Sequence, residues 1–284
     1  MTDDEPVPLR SWLFVPGDRP ERFDKAVASG ADAVILDLED AVAPAARAAA
    51  TVQVRDWLVA SAGQPQRVAR WVRVPSARDC PADIRALAGL PALDGFVLPK
   101  VESADVLHGW NTRLMAQIES AQGLLALARI VAGSPPDLAL LALGPEDLSR
   151  SLGCAPDLAG MTVPCANTVI AARAHGLQVL ACPGSIGEFR DLAAWRGTLE
   201  AGRALGSDGM LCIHPKQVEV ANEVFSPHAA FIRDALRVVA AFDEASARGE
   251  GAAQLDGRMI DLPVVVRARR LLRRAEHYGL LPGA

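Results

Sequence analysis

The chain has 284 residues, half of them hydrophobic, and a formal net charge of −5, so it is long enough for one large domain with a full core. Its 29 basic and 34 acidic residues are mixed without a long run of one sign, which excludes the electrostatic footprint of a nucleic-acid-binding protein. No apolar stretch is long enough to span a membrane, and the five cysteines form no C-x-x-C pair, so we expect a reduced, cytoplasmic protein without a membrane partner.

Eight short and nearly continuous apolar runs recur along the chain, and such runs are typical of strands buried on both faces. Helix-like segments lie between them, and several end at a glycine, the usual residue just past a helix. Eight such repeats predict an α/β fold, a single (β/α)8 TIM barrel; a doubly wound open sheet is disfavoured because no G-x-G-x-x-G follows the first run. The predicted strands lie within residues 12–17, 33–40, 68–75, 95–103, 113–120, 138–148, 178–185 and 208–215, and the predicted helices cover residues 19–29, 44–61, 121–132, 163–175 and 188–205.

After about residue 225 the alternation stops, so we divide the chain into a barrel domain at residues 1–225 and a C-terminal helical extension at residues 226–284. The extension has an amphipathic helix over residues 229–248, a glycine-rich loop, and a last helix over about residues 264–277. It is too short for an independent domain and too apolar to be disordered. We expect it to pack on the barrel, to cover its mouth as a lid, or to pack on a neighbouring subunit.

Charged residues cluster at the carboxyl ends of the predicted strands, where charge is costly unless it is paired or bound to a metal. In a (β/α)8 barrel these ends converge on one mouth, where active sites lie. Carboxylates outnumber cations there and no Cys/His cluster is present, which favours Mg²⁺ over zinc. The charged side chains are Asp37, Glu39 and Asp40 after strand two, Arg73 in strand three, Lys100 and Glu102 after strand four, Glu119 after strand five, Glu146 and Asp147 after strand six, and His214 after strand eight.

The segments that carry these residues resemble the HpcH/HpaI aldolase and citrate lyase β-subunit family. The resemblance spans nearly the whole chain in family order, from RSWLFVPGDRPERFDKA and ADAVILDLEDAVAP through VRVP, GFVLPKVES, QIESAQG, GPEDLSRSLG and DGMLCIHPKQ to DGRMIDLP. It implies a (β/α)8 barrel that assembles as a homotrimer or hexamer. It also implies an Mg²⁺-dependent carbon–carbon lyase that cleaves a thioester such as citryl-, malyl- or citramalyl-CoA into acetyl-CoA and a 2-oxo acid.

The same resemblance implies roles for individual residues. Glu119 and Asp147 match the Mg²⁺ ligands, and Arg73 matches a substrate-binding arginine that would stabilise an enolate. Asp261 matches an acid/base that related enzymes insert from the C-terminal segment, often from a neighbouring subunit. The positions that match the lining of the thioester site are Lys25, Asp37, Glu39 and Asp40.

The residues themselves leave other roles and other functions open. The protein could be the β-subunit of a larger citrate lyase complex that takes its substrate from an acyl carrier. It could also be a thioesterase, a malate-synthase-like enzyme, or an aldolase that acts on free hydroxy acids. Glu119 could be a rim carboxylate paired with Lys100, and Glu146 could be the metal ligand in place of Asp147. Arg73 could be a counter-ion of Glu39 or Asp40, and Asp261 could be a helix cap.

Overall fold

The computed structural model describes residues 7–63 and 68–281. Residues 9–225 form one compact unit, called here the barrel unit. Residues 226–281, together with Val7 and Pro8, form a second unit, called the C-terminal unit. No helix in the described ranges has both the length and the apolar character needed to cross a bilayer.

Eight parallel strands of the barrel unit hydrogen-bond in the order β7-β6-β5-β4-β3-β2-β1-β8 and form a nearly closed barrel, which confirms the predicted fold class. Each strand lies almost wholly within its predicted apolar run but ends earlier, because the runs continue into the loops at the barrel mouth. The strands are β1 Ser11–Pro16, β2 Ala33–Asp37, β3 Ala69–Arg73, β4 Gly95–Leu98, β5 Leu114–Ile118, β6 Leu138–Leu143, β7 Gln178–Leu180 and β8 Met210–Cys212.

Alternation along the strands sends side chains into two separate cores. Trp12 and Trp71 point into the barrel, where their rings meet edge to face at 5.3 Å, within a buried cluster that also contains Met115. Leu13 and Val72 point outward into the larger cluster between the strands and the surrounding helices. The interior of the barrel is therefore a packed core.

Helices follow the strands, and their starts are fixed by caps that the apolar pattern does not reveal. Asp157 accepts a hydrogen bond from Gly160 N at 2.9 Å and starts one helix five residues before its predicted start. Asp191 accepts hydrogen bonds from Ala193 N and Ala194 N and starts the next helix four residues after its predicted start. The helices are α1 Phe23–Val27, α2 Arg47–Ala60, α3 Ala82–Arg85, α4 Ala121–Ala132, α5 Pro145–Leu152, α6 Leu158–Ala174, α7 Leu192–Leu205 and α8 Pro215–Phe225.

The sequence analysis placed Asp147 at the end of strand six, and this prediction is wrong. Strand β6 ends at Leu143, and Asp147 lies in the first turn of helix α5. Pro145 explains the change, because proline has no N–H for a sheet and its fixed φ suits the first position of a helix. Asp147 is thus carried by a rigid helix start beside the barrel mouth.

The C-terminal unit consists of helices α9 Ala229–Ala247 and α10 Leu262–His277 and a hairpin of β9 Ala253–Leu255 with β10 Arg258–Ile260. The predicted glycine-rich loop is therefore wrong for this segment. Asp256 and Gly257 have φ values of 51° and 74°, the left-handed pair that a tight two-residue hairpin turn needs. The hairpin and the two helices share an apolar cluster around Val238, Ile260 and Val265.

Candidate active site

A cavity of about 320 Å³ lies where the strands of the barrel unit end. Carboxylates and one guanidinium form the polar part of its lining, and aliphatic and aromatic side chains form the apolar part. It brings together five of the predicted site residues. The lining includes Asp37, Asp40, Arg73, Gln117, Glu119, Gly144, Glu146 and Asp147, with Phe14, Ile186 and Ile213 as apolar walls.

Arg73 is held in place by Asp37 at the end of the neighbouring strand. Asp37 accepts hydrogen bonds from Arg73 Nε at 2.7 Å and Nη2 at 2.5 Å, and its oxygens also accept from Glu39 N and Ala41 N. The guanidinium carbon lies 4.6 Å from the centre of the Phe14 ring. Burial alone would lower the pKa of Arg73, but the hydrogen bonds to Asp37 and the negative charges of Asp37, Glu39 and Glu119 together offset burial and raise that pKa. Arg73 is therefore a fixed cation, and Asp37 uses only two of its five N–H donors.

Glu39 is a buried carboxylate that joins the two cations of the mouth. Its Oε1 accepts a hydrogen bond from Lys100 Nζ at 2.6 Å, and its Oε2 lies 2.8 Å from Arg73 Nη1. Burial raises the pKa of Glu39, while Arg73 and Lys100 act in the opposite direction. Because both of its oxygens lie against cations, Glu39 orients Arg73 and Lys100 and has no oxygen left for a substrate.

Glu119 is 4 % exposed, and its two oxygens have different surroundings. Oε1 accepts a hydrogen bond from Lys100 N at 2.7 Å. Oε2 accepts no hydrogen bond from the described part of the chain, and a methyl group on Gly144 would lie 2.5 Å from it. Burial, with Glu39 and Asp147 nearby, raises the pKa of Glu119 to about 8. Negative charge at this position is thus poorly compensated by the protein, as expected of a group that binds a cation.

Asp147 and Glu146 are adjacent in α5 but differ in their partners. Asp147 is partly exposed, pairs with Arg150 Nη2 at 2.7 Å, and lies 3.8 Å from Lys100 Nζ. Glu146 instead holds the loop after β7, because its Oε1 accepts from the Ser185 hydroxyl and from Ile186 N. Each of the two carboxylates thus has one oxygen engaged by a protein donor, Asp147 Oδ1 and Glu146 Oε1, and the preference for Asp147 as the ligand rests on the family resemblance.

The donor set of Glu119 and Asp147 fits a magnesium ion. Mg²⁺ usually takes one or two protein carboxylates and keeps water or substrate in its other positions. Across residues 7–63 and 68–281, no group of three or more His, Cys, Asp or Glu side chains is placed to hold an ion. A magnesium ion would therefore be held by two protein carboxylates. Glu119 Oε2, which accepts no hydrogen bond from the described residues, is the oxygen available to it.

Two predicted site residues of the barrel unit, Lys25 and Glu39, are not part of the cavity lining, and a third, Asp261, belongs to the other unit. Lys25 is exposed on α1. Asp261 starts α10, where its Oδ1 accepts a hydrogen bond from Val264 N at 3.3 Å. The helix-capping role left open by the sequence is therefore present. A cap uses one carboxylate oxygen, so it does not prevent Asp261 from acting as an acid or base.

Sequence reasoning missed two residues of the site. Gln117 is 4 % exposed, lines the cavity, and has an Oε1 without a hydrogen-bond partner among the described residues. The strand period of two places it on the same face as Glu119, so the sequence contained a usable signal. The sequence contains no such signal for Gly144. A side chain at this position would clash with Glu119, and that is apparent only in the folded structure.

The model of the HpcH/HpaI aldolase/citrate lyase family matches residues 10–109 and 108–215. The chain belongs to this family. Among the curated relatives of this family member, a (3S)-malyl-CoA thioesterase from Cereibacter sphaeroides is 38 % identical over 284 residues, covering 95 % of each chain. An L-malyl-CoA/β-methylmalyl-CoA lyase from the same species is 33 % identical over 315 residues, again covering 95 % of each chain. Both named relatives are enzymes that act on CoA esters.

Solved structures of the family agree with the fold and include magnesium complexes. The CitE protein of Mycobacterium tuberculosis in complex with magnesium, acetoacetate and coenzyme A is 33 % identical. Its TM-score is 0.75, and the match covers 95 % of this family member and 99 % of that chain. RipC from Yersinia pestis is 30 % identical with a TM-score of 0.65, covering 79 % of this chain and 98 % of its own.

Proposed function

We propose that this protein is an Mg²⁺-dependent lyase that cleaves a short 3-hydroxyacyl-CoA thioester, such as malyl-CoA, into acetyl-CoA and a 2-oxo acid. One observation carries the proposal: Glu119, Asp147 and the fixed cation Arg73 line the same cavity. Carboxylates that hold a hard cation and a guanidinium aimed at a developing oxyanion are the groups this chemistry needs. The CoA-ester relatives support the thioester as the substrate class.

The chain's own residues account for the main requirements of the cleavage. The substrate hydroxyl loses its proton to water, the carbon–carbon bond breaks, and the electrons of that bond form an enolate on the thioester half, which takes up one proton in the final step. Arg73, whose position is fixed by Asp37 and Glu39, stabilises the enolate oxygen without rearranging during the reaction. Asp261 would exchange a proton with the enolate carbon to give acetyl-CoA.

Glu119 and Asp147 would hold Mg²⁺, which when bound polarises the carboxylate and keto oxygens of the 2-oxo acid half. Lys100 orients Glu119 through its main-chain N–H. Phe14, Ile186 and Ile213 add apolar surface to the same cavity, which would limit the access of water to a bound substrate. The size of the cavity, about 320 Å³, suits the small acyl portion of the substrate rather than the whole CoA thioester.

A second candidate function is hydrolysis of the same thioester to free malate and CoA. The relative named (3S)-malyl-CoA thioesterase is more similar to this chain than the relative named lyase, with 38 % against 33 % identity. The same fixed cation could stabilise the oxyanion that forms when water attacks the thioester carbon. The two reactions differ in the bond that breaks, carbon–carbon in one and carbon–sulfur in the other.

Product analysis separates the two candidates. Purified protein is incubated with malyl-, citramalyl- and citryl-CoA, with Mg²⁺ or with EDTA, and the products are identified by mass spectrometry. Acetyl-CoA with a 2-oxo acid supports the lyase, whereas free CoA with an intact hydroxy acid supports the thioesterase. No turnover of any thioester with Mg²⁺ present would reject both, and the Glu119→Gln variant serves as the inactive control.

The assembly implied by the family resemblance remains a prediction. A homotrimer or hexamer would allow Asp261 to reach the mouth of a neighbouring barrel. A subunit of a larger citrate lyase complex would require an acyl-carrier thioester. Turnover of the CoA thioester by the isolated protein would support a free-standing enzyme, and turnover only of the acyl-carrier thioester would support the complex subunit.

A further inference from the structure

The barrel has a seam between β7 and β8, where no strand-to-strand ladder closes the sheet in the described residues. At the base of the seam, residues just before β8 replace the ladder. Asp208 N donates to Val179 O at 2.9 Å, Val179 N donates to Asp208 Oδ2 at 3.0 Å, and Ala181 N donates to the Ser207 hydroxyl at 2.9 Å. The Ser207 hydroxyl also donates to Val179 O at 3.3 Å, so both main-chain and side-chain hydrogen bonds hold the base of the seam.

At the mouth, one fully buried side chain bridges the same seam. Gln217, in the first turn of α8, accepts hydrogen bonds at Oε1 from Ile213 N at 2.8 Å and from His214 N at 3.1 Å. Its Nε2 donates to Ile186 O at 2.9 Å and to Glu188 O at 3.3 Å. A carboxamide has two acceptor sites and two N–H donors, and all four are used here.

The two loops joined by Gln217 carry two of the three apolar walls of the candidate active site. Ile186 lies in the loop after β7 and Ile213 directly after β8, and both line the cavity. The first of these loops is also bound to Glu146, the residue before Asp147. A second contact crosses the seam beside Gln217, because the rings of Phe189 and His214 stack at 5.0 Å with an interplanar angle of 7°.

We propose that Gln217 is a positioning residue that closes the seam at the barrel mouth and sets the separation of Ile186 and Ile213. This separation determines how closely the cavity holds the acyl chain of the substrate. The inference rests on the proposed function, since it concerns binding of the thioester. It concerns substrate fit rather than the metal, because the hydrogen bonds of the Gln217 side chain go to the two loops and not to Glu119 or Asp147.

The test replaces Gln217 by methionine, which has a similar length but makes none of the four hydrogen bonds. We expect the KM for the thioester to rise about tenfold, because loosely held walls remove uniform binding, with kcat and the Mg²⁺ affinity changed by about twofold or less. Discrimination against a thioester with one additional methyl group should also fall. A loss of kcat at unchanged KM, or an equal loss of Mg²⁺ affinity, would overturn the proposal.

Gln178, at the start of β7, provides the matched control. Its Nε2 donates one hydrogen bond, to Leu9 O at 2.7 Å, away from the cavity. Gln178→Met should lower the melting temperature while leaving the KM unchanged. An equal rise of KM in both variants would reduce Gln217 to a general contributor to stability and overturn the proposal.

Hydrogen exchange supplies a readout that does not depend on activity. Gln217→Met should lose amide protection at residues 185–189 and 212–216, and Gln178→Met should not. If the wild-type protein turns over no thioester, the proposed function fails. Unchanged amide protection in both loops of Gln217→Met would independently overturn the seam-closing role.

If Gln217→Met does not fold, Ile213→Ala replaces it. Removing one apolar wall directly should also raise the KM, and an unchanged KM counts against the proposal.

Discussion

The main-chain N–H of Lys100 donates a 2.7 Å hydrogen bond to Glu119 Oε1, and Lys100 does so from a left-handed conformation with a φ of 52°. A left-handed backbone is unfavourable for a lysine by about 1–2 kcal/mol, so the surrounding structure must hold it there. The same conformation lets Lys100 Nζ reach Glu39 at 2.6 Å. One strained residue thus fixes Glu119 and places a cation beside it, while Glu119 Oε2 is left for a ligand.

The first prediction concerns the space beside Glu119. In Gly144→Ala, the new methyl group would lie 2.5 Å from Glu119 Oε2 and 2.8 Å from its Cβ, so Glu119 must move. We expect Mg²⁺ affinity to fall by about 10–100-fold, the effect typical of disturbing the groups that orient a metal ligand. Isothermal titration calorimetry with MgCl₂ measures the Mg²⁺ affinity of the variant and the wild type.

Gly197→Ala in α7 is the control for this experiment, because nothing lies within 4 Å of the added methyl group. Alanine in a helix interior is more stable than glycine by about 0.5–1 kcal/mol, so this variant should have a slightly higher melting temperature and normal Mg²⁺ binding. Normal Mg²⁺ affinity in Gly144→Ala would contradict the assignment of Glu119 as a ligand.

The second prediction concerns pH and follows from the raised pKa of Glu119, about 8 in the folded protein. Since the unfolded pKa is near 4.5, the folded chain keeps a proton that the unfolded chain loses, and stability without metal should fall as pH rises from about 4.5 to 8. Mg²⁺ competes with this proton, so its affinity should rise roughly 25-fold between about pH 6.5 and 8.5. Glu119→Gln should bind weakly at both values, and a pH-independent affinity of the wild type would refute the prediction.

The third prediction separates Asp147 from its neighbour Glu146. Asp147→Asn should weaken Mg²⁺ binding, because it removes one of two carboxylates that the ion would use. Glu146→Gln should keep the Mg²⁺ affinity within about twofold, since its role is to accept hydrogen bonds from the loop after β7. Titration calorimetry of both variants decides the matter, and the reverse pattern would show that Glu146 is the ligand.

The fourth prediction concerns the fixed cation. Arg73→Lys keeps the charge but loses the paired hydrogen bonds to Asp37, so the ammonium should no longer be aimed at the reacting oxygen. We expect kcat to fall by about 10²–10³ with a smaller change in KM, as for loss of an oxyanion donor. Steady-state kinetics measures the split, and a variant with normal kcat would mean that Arg73 only neutralises Asp37 and Glu39.

Much of the fold could be predicted from the sequence, because parallel strands buried on both faces leave a strong apolar signal. The eight strands follow that signal, but helix starts do not. Asp147 shows the limit: an apolar run that continues to residue 148 hides the point where Pro145 ends the strand and begins α5. The Asp256–Gly257 turn was also missed, although Asp-Gly between short strands is a usable hairpin signal.

The candidate site was predicted less completely than the fold. The sequence identified the charged residues, since charges at the ends of buried strands are conspicuous. It could not show that Asp37 is saturated by Arg73 and two main-chain N–H groups, or that Glu146 binds the loop after β7. Such roles depend on which atoms meet across the barrel, and residue spacing along the chain does not contain that information.

The last prediction separates the two roles of Asp261, which caps α10 and is proposed to carry a proton. Asparagine caps helices as well as aspartate does but cannot exchange a proton, whereas alanine does neither. Asp261→Asn should therefore keep the wild-type melting temperature and lose most of its kcat, while Asp261→Ala should also lose about 1 kcal/mol of stability. Thermal unfolding and steady-state kinetics of both variants are compared with the wild type. An Asp261→Asn protein with full kcat would leave Asp261 with the cap alone, and the proton would have to come from another group at the mouth.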